Sequence, residues 1–301
     1  MAVYNGTNGS ETVTGTFYAD SFYMYGGSDT VYAENGDDYV SAGSGVDYVF
    51  GGDGDDQVFG GDDGDYLFGE LGEDTIYGGG GDDYIVGGLE DDRLHGEAGD
   101  DAFVTDGVSG MDSFYGGSGT DIIYVGTVNQ YAFYGVIGID YLDSVEAIVN
   151  DQSVKPVDIQ ADGVLDLTDV QISQIRQIVG GAGSDRITGT STANDPIFSL
   201  DDTIDGNGGD DYLAGGLGND ILTGGSGVDT FIFGSGEGTD RITDFADGVD
   251  MIDLTGTSAT GFGDLSVVDS GAGDAVVGID GTSILLEGIA VSSVDASDFL
   301  F

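Results

Sequence analysis

The chain has 301 residues, of which 58 are Gly and 57 are Asp or Glu against only 5 Lys or Arg, for a formal net charge of -52. Five scattered cations cannot form a stripe for a phosphate backbone, so no nucleic-acid partner is expected, and the net negative charge disfavours anionic membrane surfaces. With no Cys there is no disulfide framework or thiolate site, and a single His, His95, excludes paired-His zinc sites and reads as a surface side chain.

At 39% hydrophobic residues the chain is too apolar for simple disorder. Dense negative charge must be neutralised as the chain folds, and a bound cation is the economical means. Met1 to Ser10 has neither a basic region nor an apolar core, so no cleaved export leader is expected there. No apolar run reaches membrane-spanning length.

From Gly6 the chain divides into blocks of nine. Every sixth position through residue 101 is acidic, from Glu11 and Asp20 through Asp29, Asp38, Asp47, Asp56, Asp65, Asp74, Asp83 and Asp92 to Asp101. Every eighth position is apolar, from Val13 and Phe22 to Leu94 and Phe103. Two residues are then inserted, and two further blocks carry Asp112 with Phe114 and Asp121 with Ile123. The period returns at Gly180 to Thr188 (GGAGSDRIT), with Asp185. Four contiguous blocks from Ile197 to Ile232 follow, with Asp202, Asp211, Asp220 and Asp229, and degraded copies surround Asp240 and Asp250.

Glycine takes left-handed conformations closed to other residues, so the first six residues of a block turn the chain tightly and gather carbonyl oxygens. The last three form a short strand whose middle side chain points inward. Two blocks make one flattened coil, and stacked coils align the turns in columns. A hard cation such as calcium takes six to eight oxygens, which the sixth-position carboxylates and turn carbonyls can supply. One inward side chain per block is little apolar burial against the entropy of ordering nine residues, so ion binding and folding are expected to be coupled.

Gly51 to Phe59 (GGDGDDQVF), Gly78 to Val86 (GGGGDDYIV) and Gly215 to Thr223 (GGLGNDILT) resemble the RTX, or hemolysin-type, calcium-binding nonapeptide G-G-x-G-x-D-x-U-x, which is a documented repeat signature. The resemblance implies several calcium ions between turns, held by Asp29, Asp38, Asp47, Asp56, Asp65, Asp74, Asp83, Asp92, Asp101, Asp121, Asp185, Asp202, Asp211, Asp220 and Asp229. Backbone oxygens would come from turns containing Gly36, Gly45, Gly52, Gly54, Gly72, Gly79, Gly81, Gly99, Gly209, Gly216, Gly218 and Gly227. Asp63 and Glu90 replace the fourth-position Gly, which puts their turns in doubt.

The implied fold is all-β: a parallel β-roll, or right-handed β-solenoid, of Gly/Asp-rich nonapeptides in two arrays with a β-rich C-terminal cap. The expected organisation is a first roll over 1–124, an intervening segment over 125–179, a second roll over 180–234 and a cap over 235–301. Within the intervening segment, Asp158, Gln160, Asp162, Gly163, Asp166 and Asp169 have a spacing that resembles an EF-hand or dockerin-type loop, with Val170 to Ile178 as a short helix. The competing reading is irregular solenoid running into the next repeat.

The C-terminal stretches ITDFADGVDMIDLTG from Ile242 and ILLEGIAVSSVDASDFLF from Ile284 resemble the end of serralysin-type RTX proteins. Asp298 followed by Phe299, Leu300 and Phe301 looks like the uncleaved signal read by a type I secretion apparatus. The implied protein is secreted, extracellular and structural or adhesive. No catalytic residue is expected, since no G-x-S-x-G, H-E-x-x-H or Walker sequence occurs. The rivals are an enzyme with an unrecognised carboxylate site in 125–179 and a membrane-active effector.

Outward positions seven and nine differ between alternate blocks. The odd blocks present Thr30 with Tyr32, Tyr48 with Phe50, Tyr66 with Phe68 and Tyr84 with Val86. The even face, pairing Ser21 with Tyr23, Tyr39 with Ser41, Gln57 with Phe59, Thr75 with Tyr77 and Arg93 with His95, reads as more polar. The aromatic odd face is either covered by the apolar segment from Tyr131 or serves a glycan, a cell surface or a second copy.

Overall fold

The computed structural model describes residues 1–105, 110–125, 136–145, 147–150, 157–161, 164–166, 171–173, 175–179, 186–188 and 201–301. These residues are all-β, with parallel strands stacked as solenoid coils within each of two compact units, Met1–Val157 with Ile172–Gln174, and Asp158–Gln171 with Ile175–Phe301.

In the first unit the alternate blocks separate into two sheets. One contains Ser21–Tyr23, Tyr39–Ser44, Gln57–Asp62, Thr75–Gly80, Arg93–Ala98 and Met111–Ser118, each parallel to the next. The other contains Thr12–Thr14, Thr30–Tyr32, Tyr48–Asp53, Tyr66–Leu71, Tyr84–Leu89, Ala102–Thr105 and Ile122–Val125. The register is one coil of 18 residues, with Val49 opposite Leu67 and Val58 opposite Ile76. It becomes 20 across the insertion, where Leu94 faces Phe114.

Eighth-position side chains fill the interior, and Phe22, Val31, Val40, Val49, Val58, Leu67, Ile76, Ile85 and Phe103 are completely buried. Met24, Ala33 and Ala42, at the first position of their blocks, join them. Several strands are longer than the three residues expected. Tyr48–Asp53 continues through positions one to three of the next block, and Gly52 and Asp53 pair with Glu70 and Leu71.

The intervening segment contributes strands to both units. Val136–Asp143 pairs with Met111–Ser118, and Ala147–Asn150 pairs with Ile122–Val125, both parallel. This part of the stretch from Tyr131 therefore extends the coil and does not lie across the aromatic face; residues 131–135 lie outside the described residues. Of the two readings of the stretch from Val170 to Ile178, the structure has solenoid strands, Gln171–Ser173 and Ile175–Val179, in place of a short helix. Ile172, Ile175 and Ile178 have helical spacing, but Ile178 pairs with Ile204, and ladder pairing of β-branched residues overrides the spacing. In the EF-hand-like stretch, Asp158 and Gln160 lie on strand Val157–Ala161 and Asp166 on Val164–Asp166. Asp162, Gly163 and Asp169 lie outside the described residues.

In the second unit, Arg186–Thr188, Tyr212–Ala214, Thr230–Gly234, Met251–Gly256 and Phe299–Leu300 form one parallel sheet. Thr203–Asp205, Ile221–Thr223 and Thr239–Ile242 form a second, onto which Thr282–Leu286 adds in parallel. Ala275–Ile279 and Ser266–Asp269 then continue it antiparallel, making a β-rich cap. Among the described residues no helix is long and apolar enough to cross a membrane.

Candidate metal centre

Each coil turns at two edges, and the left-handed backbone falls where glycine spacing placed it. Every glycine expected to serve a turn has positive φ, including Gly36 at 110°, Gly54 at 135°, Gly99 at 150° and Gly227 at 152°. Asp63 and Glu90 keep the left-handed conformation without glycine, at φ 74° and 80°. Their turns have regular backbone geometry, held against a cost of about 1–2 kcal/mol per non-glycine residue. At Gly52 the requirement is also steric, because a Cβ would stand 1.8 Å from the Glu34 carbonyl oxygen one coil below.

The sixth-position acids assemble into columns. Asp29, Asp47, Asp65, Asp83 and Asp101 each donate their N–H to Oδ1 of the next Asp in the series, ending at Asp121, over 2.7–2.9 Å. On the opposite edge Asp38, Asp56, Asp74 and Asp92 do likewise, ending at Asp112. In the second unit Asp202 donates to Asp220 and Asp220 to Asp240, while Asp211 donates to Asp229 and Asp229 to Asp250. The degraded copies thus belong to the columns. Asp185 lies outside the described residues.

In ten of these carboxylates one oxygen orients the coil and the other is left over. Oδ2 of Asp29, Asp38, Asp47, Asp56, Asp65, Asp74, Asp83, Asp92, Asp101 and Asp220 is buried and accepts no hydrogen bond. These are anionic oxygens out of water with no protein donor, the most costly arrangement of a carboxylate unless a cation or a proton joins it. Among the described residues, no Lys, Arg or His side chain reaches Asp56, Asp65, Asp74 or Asp83 as an ion pair. Burial, with neighbouring carboxylates adding to it, pushes Asp56, Asp65 and Asp92 up to about 8, against the lowering effect of the N–H each accepts. The same causes push Asp74, Asp83 and Asp220 to about 7, and Asp38, Asp47 and Asp101 to about 6.

The donor chemistry fits a hard cation. The available groups are carboxylate and carbonyl oxygens without sulfur or imidazole, the preference of calcium over softer metals. Among the described residues no three acidic or His side chains converge on one point. A coordination shell here must therefore combine sixth-position Oδ2 atoms with turn carbonyls.

The first-position glycines lie against the column carboxylates, a contact that the sixth-position reading passed over. A Cβ on Gly51, Gly60, Gly69, Gly78, Gly87 or Gly96 would stand 2.1–2.5 Å from Oδ2 of the Asp five residues on. The glycine five residues before the acid, doubled at Gly51, Gly60, Gly78 and Gly87, is the sequence signal for it. Gly69→Ala, crowding Asp74 Oδ2 at 2.1 Å and the Gly87 carbonyl at 2.4 Å, is expected to cost about 1–3 kcal/mol and to lower the number of bound ions. Gly80→Ala, whose nearest atom is 4.0 Å away, is the matched control and should behave as wild type. Thermal unfolding in calcium, with metal analysis, separates the two.

Fifth-position acids run beside the columns on both edges, with hydrogen bonds in the opposite sense. Asp55 donates its N–H to Asp37 Oδ1 at 3.4 Å, Glu73 to Asp55 Oδ1 at 3.1 Å and Asp100 to Asp82 Oδ1 at 3.0 Å.

Both outer faces carry aromatic rings. On the odd face Tyr32, Phe50 and Phe68 stack at 5.0 and 4.9 Å, beside Tyr48 and Tyr66 at 4.7 Å. Tyr48 and Tyr66 are 42% and 39% exposed, so this face is open to solvent in the first unit. The even face is not the more polar one. Tyr23, Tyr39, Phe59, Tyr77, His95 and Tyr115 form a continuous ladder with centroids 4.2–5.6 Å apart. Tyr39 bridges the gap left by Ser41. His95 is held between Tyr77 and Tyr115, and burial holds its imidazole below the usual range.

A family model described as the RTX calcium-binding nonapeptide repeat matches residues 5–40, 23–58, 41–76, 59–94, 77–107, 106–129, 177–194, 198–231 and 205–242. Among solved structures, the AlgE6R3 subunit of the Azotobacter vinelandii mannuronan C5-epimerase is 27% identical, with 46% of this chain and 78% of that chain covered and a TM-score of 0.32. The extracellular lipase LipA from Serratia marcescens is 18% identical, with 91% of this chain covered and a TM-score of 0.27. This chain covers 45% of the lipase. Among curated proteins no sequence matches the chain.

Proposed function

The chain belongs to the RTX calcium-binding nonapeptide repeat family, and from that premise we propose that it is a secreted, non-enzymatic calcium-binding protein that folds on meeting calcium outside the cell and serves a structural or adhesive role. The observation that carries the reading is the run of buried, unpartnered Oδ2 atoms along both turn edges. Asp29 through Asp101, Asp121, Asp202, Asp211, Asp220 and Asp229 would hold the ions with carbonyls of the glycine turns, and Asp185 is assigned by its motif. Calcium supplies positive charge to the columns and so fixes each turn against its neighbour.

The adhesive part of the proposal is supported by the open aromatic face. Rings in register along the coil axis offer a flat area of apolar contact with phenolic hydroxyls at its surface. Changing Tyr48, Phe50, Tyr66 and Phe68 together to Ser is expected to leave calcium binding in place and to abolish adhesion to glycans or cells, or self-association. Sedimentation and a surface-binding screen measure it, and unchanged association would rule the face out.

Export through a type I apparatus is proposed from the serralysin-like C-terminal stretch and its closing Asp298, Phe299, Leu300 and Phe301. In a host with such an apparatus, a chain lacking residues from Ile242 onward should stay inside the cell. Secretion of the shortened chain at the wild-type level would refute the assignment.

A further inference from the structure

One acid column of the second unit ends in a turn built differently from those below it. Strand Thr239–Ile242 pairs with Ile221–Thr223 on one side and with the cap strand Thr282–Leu286 on the other. Asp240 accepts the N–H of Asp220 at 3.0 Å, as in a regular turn. The next layer, however, places Ile284 opposite Asp240, so no carboxylate arrives from a following coil.

The turn itself supplies a replacement. Asp240 follows Asp220 by 20 residues where a regular coil has 18, and the longer loop brings in Glu237. A Cβ on Gly234 would stand 2.6 Å from Glu237 Oε1, the relation that a sixth-position carboxylate has to the first glycine of a regular turn. The cap fastens this loop, since Glu237 donates its N–H to Thr282 Oγ1 at 3.0 Å and the Thr282 hydroxyl donates to the Gly234 carbonyl at 2.8 Å.

Two oxygens are then left over. Glu237 Oε2 and Asp240 Oδ2 are both buried and accept no hydrogen bond, and Asp240 as a whole is only 1% exposed. Burial raises the Glu237 carboxyl above its usual range, against the Gly234 N–H that it accepts, and the charge of Asp240 adds to the rise. Arg241, adjacent in sequence, is committed to Glu287 at 3.4 Å. Breaking or omitting the partner of a buried charge is strongly destabilising.

We propose that Glu237 and Asp240 together hold a calcium ion at the end of this column, with Glu237 giving the carboxylate that the missing next coil would have given. The site rests on the calcium reading of the regular turns but uses a residue outside the nonapeptide pattern. Through Thr282 it joins the final turn to the cap strand, so the docking of Thr282–Leu286 follows calcium.

The test counts ions on the full-length chain at saturating calcium by native mass spectrometry, wild type first. Glu237→Gln keeps an acceptor for the Gly234 N–H and is expected to bind one ion fewer, with faster amide exchange across Thr282–Leu286. An unchanged ion count overturns the proposal. A second measurement needs no variant: in the wild type, exchange protection at Gly234–Asp240 and Thr282–Leu286 should rise during a calcium titration. If it stays flat while turns of the first unit become protected, the proposal fails and the calcium reading of the regular turns stands. A wild type that binds no calcium overturns both.

Discussion

Stripped of calcium at pH 8, the chain is expected to lose most of its β-sheet signal in the far ultraviolet, and millimolar calcium should restore it. The interior is narrow: Val49, Leu67 and Ile85 form a single file of side chains behind one sheet, faced by Val40, Val58 and Ile76 behind the other. That file is opposed by ten or so buried carboxylates whose Oδ2 atoms lack any partner. Ionised and uncompensated, each costs several kcal/mol by the general penalty for burying a charge, more than one Val or Ile contributes by leaving water. A ligand that binds only the folded state shifts the balance by mass action. Magnesium should substitute poorly, because it demands a tighter octahedron and releases its waters reluctantly. Circular dichroism with excess chelator, calcium or magnesium decides the matter, and a chain equally folded in chelator would sink the coupling of binding to folding.

Much of this architecture is legible in the sequence because the period imposes itself on two independent requirements. Val49 and Leu67 must face inward and Asp47 and Asp65 must occupy the turn edge, so residue types recur at a fixed separation and the coil length follows directly. The strand lengths are less visible, since Gly52 and Asp53 look like turn residues but join the ladder once coils stack. The ladder through Tyr39 and His95 is hidden for another reason. Its ninth-position rings are interrupted at Ser41, where the seventh-position Tyr39 takes over, and they sit beside the polar Gln57, Thr75 and Arg93. Val170 to Ile178 leaves helix and solenoid both open in the sequence because its spacing is local, whereas Thr203–Asp205, with which Ile175–Val179 pairs, is distant. Glu237 escapes notice because its loop breaks the period that identifies all the others.

Acid should do part of what calcium does. In the calcium-free folded chain the buried carboxyls in the middle of the columns lie above the ordinary carboxylate value of 3.8, reaching about 8 at Asp56, Asp65 and Asp92 and about 6 at Asp38, Asp47 and Asp101. A group whose folded value is raised binds its proton more tightly in the folded than in the unfolded state. Protonation therefore favours folding, the gain accumulates as pH falls through the folded values, and it is complete near the unfolded value. Between pH 8 and pH 5, still above the chain's pI of about 4.1, the calcium-stripped protein is expected to gain β structure and resistance to urea. Calcium-loaded protein should move the other way over the same window, because each proton taken up removes a ligand charge and lowers calcium affinity. The two titrations converge where protons and calcium compete for the same Oδ2 atoms. Urea midpoints and calcium isotherms at pH 8, 7, 6 and 5 measure both arms. A calcium-free chain indifferent to pH across this range would show that the buried carboxylates are not what keeps it unfolded.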